Sequence, residues 1–305
     1  MPDITRIVCP IDFSEPSHHA IEHAVTVARW YEAPILALHV HTAVRAPVTA
    51  FELVGVGAPG DEDPELALLR AATDDFVTTV SPPGAVIRVA VGLGSPAAEI
   101  VAEAGASPGT LIVMGTRGAG GLEHLLLGSV AEKVLRTASC PVMTVPPRAR
   151  ITSRLPFKRV LCPIDFSPAS QHALSLAMSF AREGDAELTL LHVVTGLTPG
   201  ETPPNSRAFY SPEYAGFRGR DALENLRALI PKEAADWCFP GAQLARGDPA
   251  GEILRFAADH RMDVIVMGVE GRSAFDQVVF GSTTNAVIRA ATCPVVTLRR
   301  EGSQS

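Results

Sequence analysis

Residues 6–14 read RIVCPIDFS, and residues 159–167 read RVLCPIDFS. The two stretches lie 153 positions apart, and the same offset relates later positions, such as Gly128 to Gly281. An offset that holds along most of the chain is typical of a tandem duplication. The sequence therefore predicts two copies of one fold, each opening on a short apolar strand that ends at an aspartate.

The repeat sets the predicted domain boundaries. The chain has 305 residues, twice the length of a usual domain of about 150 residues. We predict a first domain over residues 1–147, a linker over 148–156 and a second domain over 157–305. The join reads PPRARITSRLPFK and is rich in Pro and Arg, as expected of a connection between domains.

The composition excludes several classes of protein. Apolar residues make up 47% and charged residues 19% of the chain, which is unlike the composition of disordered proteins. The net charge of -7 argues against non-specific nucleic-acid binding, and five cysteines are too few for a disulfide scaffold. No apolar run approaches the length of a membrane span, and the N-terminus does not resemble a signal peptide. We therefore expect a soluble, cytoplasmic protein that binds neither nucleic acid nor membrane.

Each half alternates short apolar strands with amphipathic helices. The runs LIVM at 111–114 and VIVM at 264–267 are apolar at every position, as strands are when helices cover both faces of a parallel sheet. Ser14 and Ser167 follow the first strand of each half and are predicted to cap the next helix. This alternation predicts an α/β fold with two tandem, doubly wound, five-stranded parallel-sheet domains.

A glycine-rich loop follows the fourth predicted strand of each half. Ligands of doubly wound sheets bind beyond the carboxyl ends of the strands, and glycine lets the backbone approach a ligand closely. The loop also leads into a helix, whose free N–H groups favour an anion such as phosphate. The alternative is a pair of turns with capping glycines. The pattern consists of Gly115, Gly118, Gly128 and Ser129 in the first half and of Gly268, Gly271, Gly281 and Ser282 in the second.

Three motifs together resemble those of the universal stress protein family. They are the CPIDFS opening, the stretch G-[SD]-P-A-x-E-I that begins at Gly94 and Gly247, and the glycine loop G-x2-G-x9-G-S. The resemblance covers both halves except the linker and the long loops. It implies a Rossmann-like fold of the adenine nucleotide alpha hydrolase type. A subset of the family binds ATP, so the resemblance also implies an adenine nucleotide as ligand.

The resemblance implies which residues would contact ATP. The adenine would lie near the end of the first strand and beside the second strand, and the phosphates would lie along the glycine loop and the next helix. In the first half the implied residues are Pro10, Ile11, Asp12, Val40, Met114, Gly115, Arg117, Gly118, Gly128, Ser129 and Val130. In the second half they are Pro163, Ile164, Asp165, Val193, Met267, Gly268, Gly271, Gly281, Ser282 and Thr283. Judged alone, the two aspartates are equally compatible with an Asx turn that closes the first strand.

The two glycine loops differ in charge. Arg117 lies between the first two glycines of one loop, whereas Glu270 lies at the corresponding place in the other. A carboxylate beside a triphosphate is unfavourable unless a metal ion or Arg272 screens it. We therefore predict tighter nucleotide binding in the first half. The alternative is that Glu270 points to solvent and has no effect.

The sequence predicts an ATP-binding, regulatory stress-response protein with little or no hydrolysis, because no general base is evident. Mg²⁺ is considered only as an ion that can accompany the bound ATP, and we expect no metal site built from protein ligands. Two alternatives stay open. One is a slow Mg-dependent ATPase that uses Asp12 or Asp165, and the other is a protein-interaction module that needs no nucleotide.

The last strand of a lone domain would be an exposed edge. Residues 142–145 and 295–298 are therefore predicted to pair with each other, which would make the chain an intrachain pseudo-dimer. A homodimer of chains and an unidentified protein partner stay open.

The remaining motifs are interpreted as structural. His19, Glu22 and His23 match the H-x-x-E-H pattern of zinc peptidases, but we expect them on a solvated helix face because the second half lacks the pattern. Four cysteines recur at matched positions and are expected to be buried. Cys238 has no counterpart in the repeat, so the sequence leaves open whether it is buried or exposed. His39 and its repeat mate are expected to pack within strands rather than to bind a ligand.

Overall fold

The computed structural model describes most of both halves. The described residues are 4–42, 64–81, 85–117, 127–147, 149, 156–195, 221–269 and 281–299. The first half contains β1 (Arg6–Ile11), α1 (Glu15–Tyr31), β2 (Ile35–His41), α2 (Pro64–Val80), β3 (Ile87–Leu93), α3 (Pro96–Gly105), β4 (Thr110–Gly115), α4 (Ser129–Thr137) and β5 (Val142–Val145).

The second half repeats this order of elements. It contains β6 (Arg159–Pro163), α5 (Pro168–Gly184), β7 (Glu187–Val194), α6 (221–228), a short 3-10 helix (Lys232–Asp236), β8 (Phe239–Arg246), α7 (Pro249–Asp259), β9 (Val264–Gly268), α8 (Ser282–Ala290) and β10 (Val295–Leu298). Along the described residues no helix has the length and apolarity that a membrane crossing requires.

The strands of both halves form one sheet in the order β3-β2-β1-β4-β5-β10-β9-β6-β7-β8. Within each half the strands are parallel, and β5 and β10 pair antiparallel at the centre, with Thr144 opposite Val295. The predicted five-stranded, doubly wound arrangement is confirmed. The predicted pairing of the two last strands is also confirmed, and it removes the edge that each half would expose alone.

The central strands are buried on both faces, as their uniformly apolar sequences predict. In β4, Leu111 and Val113 join the core layer beneath α1, whereas Ile112 and Met114 join the layer beneath α3 and α4. Side chains alternate between the two faces of a strand, so both faces of a strand that helices cover on each side must be apolar.

The predicted serine caps are present. The side chain of Ser14 accepts a hydrogen bond from the Ser17 N–H at 3.3 Å, and Ser167 accepts one from the Ser170 N–H at 3.2 Å. Each cap satisfies one N–H group that the first helical turn would otherwise leave unpaired. Local sequence chemistry thus determines where α1 and α5 begin.

Two structural predictions are wrong. His23 is only 3% exposed, and its Nδ1 donates to the backbone oxygen of His19 at 2.8 Å. The reason is that α1 is buried over more than half of its circumference, so a face that looks solvated from one apolar stripe is partly covered. The second is that Cys140, expected to be buried, is only half-buried. Cys238, whose burial the sequence left open, is only 3% exposed, because it joins the core layer that lies beneath α5.

Candidate functional site

The implied site residues that the structure describes gather, in each half, at one edge of the sheet. Parallel pairing places Ile11 opposite His39 and Gly115 opposite Val145, so the carboxyl ends of neighbouring strands meet there. Asp12 follows β1 directly, and the N-terminus of α4 lies next to the end of β4. This is the edge at which doubly wound sheets bind their ligands.

The glycine loop is closed at its base by backbone hydrogen bonds. The Thr116 N–H donates to the Val145 oxygen at 3.3 Å, and the Gly128 N–H donates to the Thr116 oxygen at 2.9 Å. In the second half the Gly281 N–H donates to the Val269 oxygen at 3.1 Å. Each loop therefore leaves and rejoins the fold at one point, which fixes the start of the next helix beside the strand end.

Part of each loop lies outside the described residues. Gly118, Gly271 and Glu270 belong to that part, so their predicted roles stay predictions.

The first glycine of each loop is needed for packing. A Cβ atom on Gly115 would lie 2.8 Å from Cβ and 3.0 Å from the backbone oxygen of Pro16, at the start of α1. A Cβ atom on Gly268 would lie 2.7 Å from the carbonyl carbon of Ala169 in α5. Any side chain here would collide with the helix. Glycine is therefore needed at this position so that the end of the strand can pack closely against the helix.

The helices that follow the loops differ from α1 and α5 at their N-termini. Gly128 and Gly281 are the cap residues of α4 and α8, and glycine has no side chain that could accept from the first-turn N–H groups. Ser129 and Ser282, the first helical residues, are exposed. A helix start with no side-chain cap, placed at the ligand edge of a sheet, is suited to an anion.

The carboxylate of Asp12 is held by the start of α1. Its Oδ1 accepts from the Ser14 N–H at 3.2 Å, from the Ser14 hydroxyl at 2.5 Å and from the Ser17 hydroxyl. Oδ1 of Asp165 accepts from the N–H and the hydroxyl of Ser167 at 3.0 and 2.6 Å. The Asx turn considered from the sequence is thus present in both halves, and it fixes each carboxylate at the end of the first strand.

The strand histidines pack as predicted. Nδ1 of His39 donates to the Ile11 oxygen at 2.9 Å, and its ring lies 4.7 Å from that of Phe13. In the second half Nδ1 of His192 donates to the Ile164 oxygen at 2.7 Å. Phe13 has a φ of 62°, which is unusual for a bulky residue. The histidine ring supports this strained turn and so helps to fix the backbone that leads into Asp12.

The implied side chains differ in how much surface they offer. Those of Ile11, Met114, Ile164 and Met267 are at most 5% exposed, so these residues would meet a ligand mainly through their backbone. Pro163 is also buried, and Ser129 and Ser282 are exposed. The other described residues of the set are partly accessible; they are Pro10, Asp12, Val40, Gly115, Arg117, Gly128, Val130, Asp165, Val193, Gly268, Gly281 and Thr283.

Sequence reasoning missed one polar contact at this edge. Thr284 is buried, and its hydroxyl donates to the backbone oxygen of Gly268 at 3.0 Å. The corresponding residue of the first half is Ala131, so the two halves differ here. No pattern in the sequence could have indicated the contact, because it joins residues on either side of a loop.

Two buried cysteines lie in the first strands of the two halves, directly before the implied site residues. Burial raises the pKa of the Cys9 thiol to about 12 and also raises that of Cys162, so the two thiols next to the site are protonated at neutral pH and are poor nucleophiles. Within the described ranges, no three His, Cys, Asp or Glu side chains are grouped so as to hold a metal ion.

Comparison with known proteins identifies the family. The model of the universal stress protein family matches residues 3–146 and again residues 156–299. The chain belongs to the universal stress protein family. The two matches correspond to the two halves of the ten-stranded sheet, so this universal stress protein is a tandem member.

Known universal stress proteins share this arrangement to different extents. One from Mycolicibacterium smegmatis is 28% identical over 302 residues, which cover 96% of this chain and 96% of that relative. One from Methanocaldococcus jannaschii is 37% identical over 144 residues, which cover 46% of this chain and 81% of the relative. The crystal structure of a universal stress protein from Archaeoglobus fulgidus has a TM-score of 0.65 at 22% identity and covers 97% of this chain and 98% of its own. The first and third matches span both halves, so the tandem fold is shared.

Proposed function

We propose that this universal stress protein binds ATP in each half and acts as a nucleotide-dependent regulator in a stress response, with little or no hydrolysis. The observation that carries the proposal is the pair of helix starts at Gly128-Ser129 and Gly281-Ser282. Both lack a side-chain cap, both adjoin the end of the fourth strand of their half, and both follow a loop that backbone hydrogen bonds close.

These helix starts would hold the phosphates. The first-turn N–H groups and the helix dipole favour negative charge at this position. The exposed hydroxyl of Ser129 adds a donor, and Arg117, which follows β4, adds a positive charge to the first half. Binding of this kind is made mainly by the backbone and by electrostatics, and it needs no P-loop lysine.

The adenine would lie at the other end of the same edge. Pro10 and Val40 are partly accessible at the ends of β1 and β2, and together with the backbone of Ile11 they form an apolar wall. Strands β2 and β4 flank β1 in the sheet. The two subsites are therefore one to two strand spacings apart, or about 5–10 Å, which suits a nucleotide that extends across the edge.

The same geometry explains why we propose slow hydrolysis or none. Oδ1 of Asp12 already accepts three hydrogen bonds from Ser14 and Ser17. This oxygen therefore serves the turn that precedes α1, and we assign Asp12 a structural role rather than that of a general base. Mg²⁺ enters the proposal only as a counter-ion of the bound phosphates.

The test is to denature the purified full chain and identify released small molecules by mass, and then to titrate the emptied, refolded chain with ATP by calorimetry. The proposal expects ATP or AMP in near-stoichiometric amount, or saturable binding of added ATP. A chain that releases no nucleotide and binds no added ATP would favour the interaction module. Sustained multiple turnover of ATP that Asp12→Asn abolishes would favour the ATPase.

The two sites are proposed to be unequal. Gly118→Asp places a carboxylate in the first loop, and Gly271→Asp does the same in the second, so each variant disables one site by charge repulsion. Because Arg117 in the first half is replaced by Glu270 in the second, the Gly118→Asp variant should lose more of the total binding free energy for ATP. Equal losses in the two variants would contradict the ranking.

A further inference from the structure

Two matched glutamates lie close to the candidate sites, and the function proposed above does not use them. Glu99 in α3 and Glu252 in α7 occupy equivalent positions in the first turn and a half of their helices. A Cβ atom on Gly94 would lie 3.3 Å from Oε1 of Glu99, and one on Gly247 would lie 3.4 Å from Oε1 of Glu252. Each carboxylate therefore lies against the glycine that directly follows the edge strand, where the missing side chain leaves a small space.

The backbone conformation at these two positions requires glycine. Gly94 has a φ of 132° and Gly247 a φ of 142°, conformations that other residues rarely adopt. The repeat thus preserves the same turn and the same space beside the carboxylate in both halves.

This space adjoins the part of the site where the nucleoside would lie. Strand β3 pairs with β2 so that Gly92 lies opposite Val40, and the Gly94 N–H donates to the His41 oxygen at 3.0 Å. A Cβ atom on Gly92 would lie 3.6 Å from Cγ2 of Val40 and 3.9 Å from Cγ of Glu99. Glu99 therefore lies beside Val40.

The position of Glu99 determines which chemical groups it can recognise. Glu99 lies beside the ends of β2 and β3, whereas the start of α4, where we place the phosphates, adjoins β4 on the other side of β1, so we place the carboxylate nearer to the nucleoside than to the phosphates. An ionised carboxylate only accepts hydrogen bonds and repels phosphate, but it binds neutral donors well. A nucleoside offers two kinds of neutral donor, the ribose hydroxyls and the exocyclic amine of adenine.

We propose that Glu99 is a specificity-determining residue that accepts a hydrogen bond from a neutral donor of the bound nucleoside. The inference rests on the proposed function, because it names a contact within the same site. It also explains why a carboxylate is tolerated near a ligand with several negative charges: the carboxylate is at the uncharged end.

In the second half, Arg255 competes with a ligand for the carboxylate of Glu252. Nη2 of Arg255 lies 2.5 Å from Oε2 of Glu252, so part of this carboxylate is already engaged. The residue equivalent to Arg255 in the first half is Ala102, and within the described residues Glu99 forms no ion pair. Glu252 must share its carboxylate between Arg255 and a ligand, so it contributes less to nucleotide binding than Glu99.

The experiment uses the full chain and calorimetric titration. The ligands are ATP and three analogues: 2′-deoxy-ATP and 3′-deoxy-ATP each lack one ribose hydroxyl, and inosine triphosphate lacks the exocyclic amine. Glu99→Ala should weaken ATP binding at the first site by about tenfold, as expected for one hydrogen bond to a charged group. The analogue that lacks the recognised donor should bind wild type and variant equally, and it thereby distinguishes a hydroxyl from the amine.

Two further variants separate recognition from folding. Ala102→Arg leaves Glu99 in place and adds the competitor of the second half, so it should weaken ATP binding in the same ligand-dependent way. Glu103→Ala, one position further along α3, removes a carboxylate that pairs with Arg6 and should leave ATP binding unchanged. Thermal melts establish that each variant is folded.

The outcomes distinguish this inference from the proposed function. If wild type binds ATP and Glu99→Ala binds it equally well, the role of Glu99 is overturned and ATP binding stands. A loss in Glu99→Ala that is the same for all four nucleotides would overturn recognition of a neutral donor. If wild type binds none of the nucleotides, the proposed function fails first, and the role of Glu99 fails with it.

Discussion

Thr144 and Thr297 hold the two central strands together by the same contact made twice. The hydroxyl of Thr144 donates to the Val295 oxygen at 3.2 Å, and the hydroxyl of Thr297 donates to the Val142 oxygen at 3.4 Å. Both threonines are at most 1% exposed. The reciprocal arrangement is that of an isologous dimer interface, here formed within one chain.

Thr144→Val and Thr297→Val should therefore destabilise the protein to a similar extent. Each substitution keeps the shape of the side chain and removes one buried hydrogen bond, which costs about 1 kcal/mol of the free energy of unfolding. Urea denaturation followed by circular dichroism measures the loss. Thr137→Val is the control, because its hydroxyl bonds within its own helix at an exposed position. A large loss in only one of the two central variants would mean that the interface is not symmetric.

Gly115→Ala should destabilise the first half. The added methyl group would lie 2.8 Å from Cβ of Pro16 and would push α1 away from β4, at a cost of about 1–3 kcal/mol in the free energy of unfolding. The matched control is Gly105→Ala at the end of α3, where a Cβ atom would meet nothing within 4 Å. This control should be neutral or slightly stabilising, because alanine loses less backbone entropy than glycine. Equal stability of the two variants would refute the packing role of Gly115.

The Gly115 contact also shows which features the sequence could predict. The serine caps of α1 and α5, the apolar central strands and the points where the glycine loop begins and ends follow from local chemistry and from the repeat, and all are found. Pro16 against Gly115 joins residues about one hundred positions apart, so no local pattern indicates it. The burial of Cys238 has the same origin, because its neighbours come from distant parts of the chain.

The sequence predicted where in the fold the candidate site lies, but not which residues contact one another there. The alternation of strands and helices and the glycine pattern predicted the edge, because both can be read from the sequence. The Glu99 carboxylate was not identified, since its proximity to Val40 depends on how β3 pairs with β2 and on a turn at Gly94. Contacts that depend on sheet register need the folded structure.

The buried thiols should make the protein less stable at high pH. Burial raises the pKa of Cys9 and of Cys293 from 9.0 to about 12, so between these values the unfolded chain loses protons that the native chain keeps. The free energy of unfolding should then fall as pH rises above 9, by up to about 1.4 kcal/mol per pH unit for each such thiol. Below pH 9 these thiols should have no effect on the pH dependence.

Cys9→Ala tests the thiol contribution. The variant should be less stable than wild type below pH 9 because it leaves a small cavity, but its stability should fall less steeply between pH 9 and 11 than that of wild type. Urea denaturation at several pH values gives the two slopes. An unchanged slope would mean that the Cys9 thiol does not contribute to alkaline destabilisation.

Trp30→Ala should weaken the contact between the halves on the α1 side of the sheet. The Trp30 ring at the end of α1 lies 5.5 Å from that of Phe157 and 5.8 Å from that of Phe180, and both phenylalanines belong to the second half. Trp30 is half-buried, so its loss should cost roughly 2–3 kcal/mol, below the cost for a fully buried aromatic residue. Trp30→Phe should restore part of this, because it keeps an aromatic ring.

The control for Trp30→Ala is Glu183→Ala, because Glu183 occupies the equivalent position in the second half. Glu183 accepts a hydrogen bond from the Ser179 hydroxyl at 3.1 Å and belongs to no aromatic cluster among the described residues, so its loss should cost less than about 1 kcal/mol. Urea denaturation followed by circular dichroism compares the two variants. Similar losses in the two variants would show that the aromatic cluster adds no stability beyond the pairing of β5 and β10. The expected difference would show that the two halves are also joined by a contact that is absent from the equivalent position of the repeat.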